Sequence, residues 1–303
     1  MTSFPPGIPP EALTPPVVLE PEPPMSLVLL FDKQHIVEGV VCIESALTQN
    51  VDLRVYILAL DVETQNKLVG ISDSIVVIPL PELEARFPAI AATKTSRPWP
   101  AYVNSLKPFL PDFVFSRYHV RLVACVDSDM YFYQPVSALL RVIGSHSFAV
   151  VAAEAVPTAR VLFNDGLFIV RNTMQGRAFL RWWQGKVTEW CLCEHGPQAD
   201  QSAAEGYLSV ILRDRVAHPG VSGVRFPGAN LSSWNLNAHT LAAADDGRIV
   251  VDEAEPLVCY HFFGFQDDRQ PYDPGKAPSA AAEQLLFCPY HAKLVSARVR
   301  LEL

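Results

Sequence analysis

The fold assignment starts from the run Val120-Arg121-Leu122-Val123-Ala124-Cys125-Val126-Asp127-Ser128-Asp129-Met130-Tyr131-Phe132. Its first half is apolar and typical of a buried strand, and two carboxylates, Asp127 and Asp129, follow at the carboxyl end. Side chains two residues apart in an extended segment point to the same side, so we expect these carboxylates to converge. Ligand sites in open α/β sheets lie at the carboxyl ends of strands. Converging carboxylate oxygens there predict a site for a hard cation, which could clamp a diphosphate.

The Asp-x-Asp spacing is a weak signal when it stands alone. The chain has 32 acidic residues, so such a spacing also arises by chance, and the alternative interpretation is a solvated turn. The apolar strand before the pair and the motifs after it favour the metal interpretation.

Composition limits the class of protein. The chain has 303 residues, of which 50% are hydrophobic and 18% charged, which predicts a folded protein with a large buried core. The formal net charge is −8 and no Lys/Arg-rich run occurs, which argues against nucleic acid as the main partner. Neither a signal sequence nor an apolar run of about 18 residues is present, so we expect a cytoplasmic protein without an integral membrane segment. Cys42, Cys125 and Cys259 lie in apolar segments and are predicted to be buried free thiols.

The first half of the chain alternates between strand-like and helix-like segments. Residues 1–24 are dense in proline and predict a mobile, extended tail. Strands are predicted at 26–31, 53–58 and 74–79 and before Asp127, and helices at 35–49, 61–68 and 101–117, the last broken at Pro108 and Pro111. This order predicts an α/β fold with a parallel sheet and helices on both faces.

The second half is less regular. Short strands are predicted at 148–153 and 166–170, helices at 174–190 and 200–212, and a last strand at 256–261. Residues 219–237 are rich in Gly, Pro, Ser and Asn and predict a long loop. A second loop is predicted up to Pro278, followed by a helical C-terminal tail.

Six features occur in a fixed order along the chain. They are Lys107-Pro108-Phe109-Leu110-Pro111, Asp127-Ser128-Asp129, Phe163-Asn164-Asp165-Gly166-Leu167-Phe168-Ile169-Val170-Arg171-Asn172, Asp200-Gln201, Gly228-Ala229-Asn230 with Trp234-Asn235-Leu236, and His261-Phe262-Phe263-Gly264. This series resembles the nucleotide-sugar transferases of GT-A fold, most closely the glycogenin-like family, glycosyltransferase family 8, and bacterial relatives used in surface-polysaccharide synthesis. The resemblance covers roughly residues 26–275.

The resemblance implies a single Rossmann-like GT-A domain over residues 25–303, with a mixed, mainly parallel sheet flanked by helices. Its nucleotide-binding half would be 25–133 and its acceptor half 134–303. In the family, the Asp-x-Asp carboxylates and a distal His bind Mn²⁺ or Mg²⁺, which bridges the two donor phosphates; the matching residues are Asp127, Asp129 and His261. An imidazole among oxygen ligands favours Mn²⁺ over Ca²⁺. The alternative for His261 is a hydrogen-bonded polar residue at a strand end.

The resemblance also implies a set of donor-binding residues. Lys107 would contact donor phosphate or sugar hydroxyls, unless it is an ordinary surface lysine, and Asp61 would help hold base and ribose, unless it is a helix cap. Gly166 would permit close approach of backbone and ligand. The donor set is Phe31, Asp32, Asp61, Lys107, Ser128, Asn164, Asp165, Gly166, Gly264 and Arg269.

Two further pairs are implied at the reacting centre and at the acceptor. Asp200 would hold sugar hydroxyls and Gln201 would lie near the reacting face if configuration is retained; the alternative for this pair is a helix N-terminus. Trp234 and Asn235 would line the acceptor cleft, with a core tryptophan as the alternative.

One segment departs from the glycogenin-like pattern. That pattern continues His-x-x-Gly-x-x-Lys-Pro-Trp, with the Lys on the donor phosphate. Here Asp267 occupies the Lys position and Arg269 is the nearest basic residue. This departure is typical of a related but distinct GT-A subfamily.

Taken together, the sequence predicts a metal-dependent glycosyltransferase that moves a sugar, with retention, from a nucleotide-diphosphate sugar to a hydroxyl acceptor. The expected acceptor is a glycan or glycolipid, and the expected location is the cytoplasm, with peripheral contact to the inner face of the membrane. One alternative is a GT-A protein that binds nucleotide-sugar or glycan without turnover. The other is a haloacid-dehalogenase-type phosphatase, which expects Thr or Val where this chain has Tyr131 and a later Gly-Asp-x-x-x-Asp, which is absent.

Overall fold

The computed structural model describes residues 23–50, 52–152, 163–189, 220–224, 226–265 and 278–303. Almost all of the predicted tail 1–24, the predicted helix 200–212 and most of the predicted loop before Pro278 lie outside these residues. So do three of the predicted site residues, Asp200, Gln201 and Arg269.

The described elements alternate as the sequence predicts. The strands of the first half are β1 (Ser26–Phe31), β2 (Val55–Ala59), β3 (Ile75–Pro79), β4 (Leu122–Val126) and β5 (Met130–Phe132). The helices between them are α1 (Ile36–Gln49), α2 (Val62–Leu68), α3 (Leu80–Arg86), α4 (Pro88–Ala91), α5 (Trp99–Leu106) and α6 (Phe109–Tyr118).

The second half continues with α7 (Leu140–Ile143), β6 (Phe148–Ala152), β7 (Phe163–Arg171) and α8 (Met174–Glu189). Six short strands follow: β8 (Val221–Val224), β9 (Leu231–Ser232), β10 (Leu241–Ala243), β11 (Ile249–Val251), β12 (Glu255–Pro256) and β13 (Cys259–His261). The C-terminal helix, Cys288–Leu301, is preceded by the helical turns Ala280–Ala282 and Glu283–Phe287.

The central sheet has seven strands in the order β3-β2-β1-β4-β7-β6-β8. The first four run parallel, β7 runs antiparallel to β4 and β6, and β8 is parallel to β6. The mixed, mainly parallel sheet of the prediction is confirmed. Two three-stranded sheets, β10-β11-β12 and β5-β13-β9, adjoin it.

Alternate residues of the central strands pack into two different hydrophobic clusters. Leu27 and Leu29 of β1 face the cluster that includes α1 and the C-terminal helix, whereas Val28 faces the one that includes α6 and α8. Since both faces are buried, nearly every position of β1 to β4 is apolar, which explains the continuous hydrophobic runs in the sequence. Cys42, Cys125 and Cys259 are buried free thiols, as predicted.

Three details of the predicted elements are wrong. The predicted last strand at 256–261 is two short strands, β12 and β13, which belong to different sheets. Residues 219–237 are not one loop, because β8 and β9 lie within them; both are short strands at the edge of a sheet, and the Gly, Pro and Asn residues around them hide them. Pro111 does not break a helix, because it lies in the first turn of α6, where a backbone N–H has no partner within the helix. No helix in the described part of the chain is long and apolar enough to cross a membrane.

Helix α8 offers a matched pair of glycine substitutions. A Cβ at Gly176 would lie 2.2 Å from the carbonyl oxygen of Arg171, because the start of the helix packs directly on the end of β7. A Cβ at Gly185 would meet nothing within 4 Å. We expect Gly176→Ala to lower the free energy of unfolding by about 1–3 kcal/mol. We expect Gly185→Ala to raise it by roughly 0.5–1 kcal/mol through helix propensity.

Urea unfolding followed by circular dichroism measures both changes against the wild type. Equal effects of the two substitutions would contradict the close packing of α8 on β7.

Candidate metal centre

The Asp pair lies where the central sheet meets the small sheet β5-β13-β9. The β4–β7 pairing extends one residue beyond β4, because the Asp127 N–H donates to the Gly166 carbonyl at 2.9 Å. On the other side β5 pairs with β13, so Met130 is opposite His261, and the Phe262 N–H donates to the Asp129 carbonyl at 2.9 Å. Two antiparallel ladders therefore fix the backbone at both ends of the Asp pair.

The two carboxylates converge, but not by the predicted geometry. Asp127-Ser128-Asp129 is not extended strand; the chain turns at Ser128 and Asp129, and the Met130 N–H approaches the Asp127 carbonyl at 3.4 Å. The turn is required because β4 and β5 belong to different sheets. Thus the predicted convergence holds although the predicted cause, strand alternation, is wrong.

His261 completes a three-residue cluster with the Asp pair. One ligand atom from each of Asp127, Asp129 and His261 lies within 4.8 Å of the others. His261 is 1% exposed, and its Nε2 lies 3.0 Å from Asp129 Oδ1 and 3.8 Å from Asp127 Oδ2. Nevertheless Nε2 makes no aligned hydrogen bond within the described residues. A buried nitrogen facing two carboxylates without such a bond fits a divalent metal ion, and this donor set could hold one.

Lys107 is buried and contacts the Asp127 oxygen that does not face His261. Its Nζ is 2.8 Å from Asp127 Oδ1 and 2.9 Å from Asp165 Oδ1. Asp165 is 4% exposed, and its second oxygen has no hydrogen-bond partner in the described structure. The surface-lysine alternative for Lys107 is therefore wrong, because the ammonium group joins two carboxylates inside the protein.

The charges of the cluster shift the pKa values of its members. Burial would lower the pKa of Lys107, but the charges of Asp127 and Asp165 raise it above its usual value. Burial raises the pKa of Asp127, against the effect of Lys107. Burial would raise the pKa of Asp129, but the neighbouring His261 brings it below the usual value. Burial would lower the pKa of His261, yet the charge of Asp129 outweighs burial and the net shift is upward.

The Asn164-Asp165-Gly166 segment contacts the cluster from β7. The Asn164 side chain accepts a hydrogen bond from the Gly166 N–H at 2.8 Å. A Cβ at Gly166 would lie 2.5 Å from both Asn164 Oδ1 and His261 Cε1, so this glycine lets His261 approach the strand. The donor-sugar roles of these three residues remain predictions.

The predicted base and ribose residues lie at the carboxyl ends of β1 and β2. The Asp61 side chain accepts from the Thr64 N–H and the Lys33 N–H, both at 2.8 Å, so it caps α2 and ties the two strand ends together. Asp32 Oδ1 accepts from the Gln34 N–H, and His35 Nδ1 lies 2.9 Å from the same oxygen.

The other oxygen of Asp32, Oδ2, accepts a hydrogen bond from Trp99 Nε1 at 2.9 Å. Phe31 is buried, with its ring over Gly39. Both Asp32 oxygens are therefore occupied by the protein's own donors. The roles of Phe31, Asp32 and Asp61 toward a donor remain predictions.

The predicted acceptor residues lie beside His261. The Trp234 ring is 5.2 Å from the His261 ring, edge to face, and 5.8 Å from the ring of Phe263, which is 43% exposed. Asn235 is buried, and its side chain accepts from the Ser232 N–H, which closes the turn after β9. Gly264 is in the left-handed region at φ +67° and turns the chain after Phe263.

Sequence reasoning did not assign roles to Asn230, Trp99 or Phe263. Asn230 belongs to a motif that the sequence does single out, and it has a positive φ of 62°, which Asn tolerates better than most residues. Trp99 carries no sequence signal, because its partner Asp32 is far away in the chain.

The buried Lys107 bridge generates a stability prediction. Lys107→Met would leave Asp165 as an uncompensated buried carboxylate, so we expect a loss of about 3–5 kcal/mol in the free energy of unfolding. Lys107→Met combined with Asp165→Asn removes that charge and should recover a large part of the loss. Lys94→Met, which removes an exposed ion pair with Glu84, is the control and should cost under about 1 kcal/mol.

Chemical denaturation at neutral pH of the wild type, Lys107→Met, Asp165→Asn and the double variant completes the cycle, and Lys94→Met is measured beside them. Strictly additive losses in the double variant would contradict the coupling of Lys107 to Asp165.

Similarity to known proteins covers most of the chain. No protein-family model matches it. The uncharacterized protein YfnF of Bacillus subtilis is 25% identical over 251 residues, which are 78% of this chain and 80% of YfnF.

Two solved structures are similar to nearly the whole chain. The galactosyltransferase LgtC, in complex with donor and acceptor sugar analogs, superposes with a TM-score of 0.54 at 12% identity, over 90% of this chain and 96% of LgtC. The apo form of the glycosyltransferase GlyE of Streptococcus pneumoniae superposes with a TM-score of 0.55 at 18% identity, over 92% of this chain and 64% of GlyE. From this likeness and from the order of its sheet we conclude that the chain has the GT-A fold of the nucleotide-sugar glycosyltransferases.

Proposed function

We propose that this protein is a metal-dependent glycosyltransferase that moves a sugar from a nucleotide-diphosphate sugar to a hydroxyl acceptor. The metal ligands in this proposal are Asp127, Asp129 and His261, with Mn²⁺ as the favoured ion because an imidazole joins two carboxylates. The acceptor is a glycan or glycolipid, and configuration is retained.

One observation carries the proposal. Three side chains with metal-ligand atoms lie within 4.8 Å of one another at the carboxyl end of β4, in a GT-A fold. The carboxyl end of a central strand is where ligands bind in open α/β sheets. Both LgtC and GlyE are glycosyltransferases, and LgtC was solved with donor and acceptor sugar analogs, which supports sugar transfer here.

The charge of the cluster supports a divalent ion. Asp127, Asp129 and Asp165 bring three negative charges, and Lys107 brings one positive charge. With His261 neutral, two negative charges remain uncompensated, which equals the charge of one divalent cation. When bound, that cation would act as a Lewis acid on the diphosphate leaving group.

The chain's own residues would then position the reactants. Lys107 orients the Asp127 carboxylate through one oxygen and leaves the other, Oδ2, facing His261. The exposed ring of Phe263 beside Trp234 offers an apolar surface on which a sugar face can stack. Asp200 and Gln201 at the reacting centre, and Arg269 at the phosphates, belong to the proposal on the strength of the sequence resemblance alone.

The fold distinguishes the proposed enzyme from only one of the two alternative functions. The GT-A fold removes the haloacid-dehalogenase alternative. The non-catalytic alternative shares the fold and the site, so it is separated from the enzyme by turnover alone. Release of nucleoside diphosphate from a donor, in the presence of metal and of an acceptor extract, is the measurement that separates them.

Donor binding is the first test. We expect Mn²⁺ together with one of the UDP-, GDP-, CDP- or dTDP-sugars to raise the melting temperature, and EDTA to abolish the rise. Ligand at 100 times its Kd adds about 2.7 kcal/mol to the stability of the native state. Asp129→Asn should lose the metal-dependent rise while keeping its own melting transition.

The control variant for this screen is Asp246→Asn, which removes an exposed carboxylate that pairs with Arg248. An equal rise in melting temperature in EDTA, or an undiminished rise in Asp129→Asn, would contradict the metal assignment.

Metal binding should also depend on pH. Burial would lower the pKa of His261, but the charge of Asp129 raises it, so the metal-free ring keeps its proton to a higher pH than an ordinary histidine does, whereas a metal ligand must be neutral. Mn²⁺ affinity should therefore rise as the pH rises toward the raised pKa, by up to about tenfold per pH unit, and level off above it. Calorimetry in two buffers of different ionisation enthalpy should count close to one proton released at pH 6 and fewer as the pH rises through the raised pKa of His261.

His261→Asn is the control for the proton count. We expect it to bind Mn²⁺ more weakly and to release no proton between pH 6 and pH 9. The same proton release in this variant would show that another group titrates and would refute the role of His261.

A further inference from the structure

Asn230 links β7 to the histidine of the candidate metal centre. It is 2% exposed and lies just before β9, where the left-handed backbone conformation turns its side chain toward the cluster. On one side its Nδ2 is 3.4 Å from Asn164 Oδ1, and on the other its Oδ1 is 3.2 Å from His261 Nδ1. Of the three proposed metal ligands, only His261 takes part in these contacts.

A backbone N–H determines which atom donates and which accepts in the series of hydrogen bonds from Gly166 through Asn164 and Asn230 to His261. The Gly166 N–H can only donate, so the Asn164 atom that it contacts at 2.8 Å is an oxygen. That oxygen accepts from the amide nitrogen of Asn230, which leaves the Asn230 oxygen facing His261. Since that oxygen can only accept, His261 Nδ1 carries a hydrogen and donates it.

The hydrogen bond at Nδ1 leaves the other ring nitrogen of His261, Nε2, to bind a metal ion. With the Nδ1 hydrogen held by Asn230, Nε2 is the nitrogen that faces Asp129 at 3.0 Å and Asp127 at 3.8 Å. Metal-binding histidines commonly donate their second ring N–H to a fixed acceptor, which sets both ring orientation and the ligating nitrogen. Ser232 is buried and adds a second restraint, because its hydroxyl donates to the His261 carbonyl at 2.6 Å.

We propose that Asn230 is a positioning residue for the metal centre, which holds the His261 ring so that Nε2 is directed at the space between Asp127 and Asp129. This inference rests on the proposed function, since it assigns Asn230 a role only if the cluster binds a divalent cation. Asn164 and Gly166 extend the same chain of hydrogen bonds back to β7, so the metal ligand is oriented by the central sheet.

The test is a titration of metal-free protein with Mn²⁺, in which free Mn²⁺ is measured by electron paramagnetic resonance at one fixed pH. Asn230→Gly removes the acceptor but keeps a residue suited to positive φ, and it should weaken Mn²⁺ binding about 10- to 100-fold. Asn230→Asp keeps an oxygen acceptor for Nδ1 but replaces the donor to Asn164 with a second oxygen, so it should bind Mn²⁺ more tightly than Asn230→Gly does.

Glu253→Gly is the matched control, because Glu253 has a positive φ of 74°, is exposed and lies in the turn between β11 and β12. It should bind Mn²⁺ as the wild type does. Circular dichroism melting of each variant confirms that the protein titrated is folded.

The possible outcomes are distinguishable. If the wild type binds Mn²⁺ and Asn230→Gly binds it equally well, the positioning role is refuted while the metal centre stands. If Asn230→Asp loses as much affinity as Asn230→Gly, the loss does not come from the acceptor atom and the inference is again refuted. If the wild type itself binds no Mn²⁺, both the inference and the proposed metal-dependent function fall.

Discussion

The backbone hydrogen bond from Asp127 to the Gly166 carbonyl is the contact on which the geometry of the site depends. It continues the β4–β7 ladder one residue past the end of β4, at the point where the chain must turn into a second sheet. Without this pairing, the Asp-x-Asp turn and the Asn164-Asp165-Gly166 segment would have no fixed relation. With it, residues from two strands that are distant in sequence face one small volume at the carboxyl end of the sheet.

That volume holds an unusual concentration of charge, and Lys107 makes it compatible with a folded protein. Its ammonium group contacts Asp127 and Asp165 from the interior side, while His261 contacts Asp129 from the other. Each carboxylate thus has a partner of opposite or variable charge, as buried ionisable groups require. The two oxygens of Asp127 therefore have different partners: one belongs to the internal ion pair with Lys107, and the other faces His261.

Sequence reasoning identified six of the seven strands of the central sheet and the three candidate ligands, because both leave local signals. Buried parallel strands are apolar almost throughout, and the two aspartates follow such a strand, β4, while His261 ends the short buried strand β13. It could not identify the Asp165 partner of Lys107, the Asn230 contact with His261 or the Trp99 contact with Asp32, because these pairs exist only after β7, β9 and α5 have been placed. The strands within 219–237 were missed for a related reason: they consist of a few residues and owe their extended conformation to neighbours in the sheet rather than to their own composition.

The pairing of β5 with β13 has a consequence for how the site comes into existence. Asp129 and His261 are adjacent in space but separated by almost half of the chain, so closing the contact between them requires a long loop to be ordered first. During synthesis, the amino-terminal strands β1 to β4 are available for pairing well before β13 emerges. The two aspartates are therefore made early and their histidine partner arrives late, so the candidate metal centre cannot form until β13 has been synthesised and paired with β5.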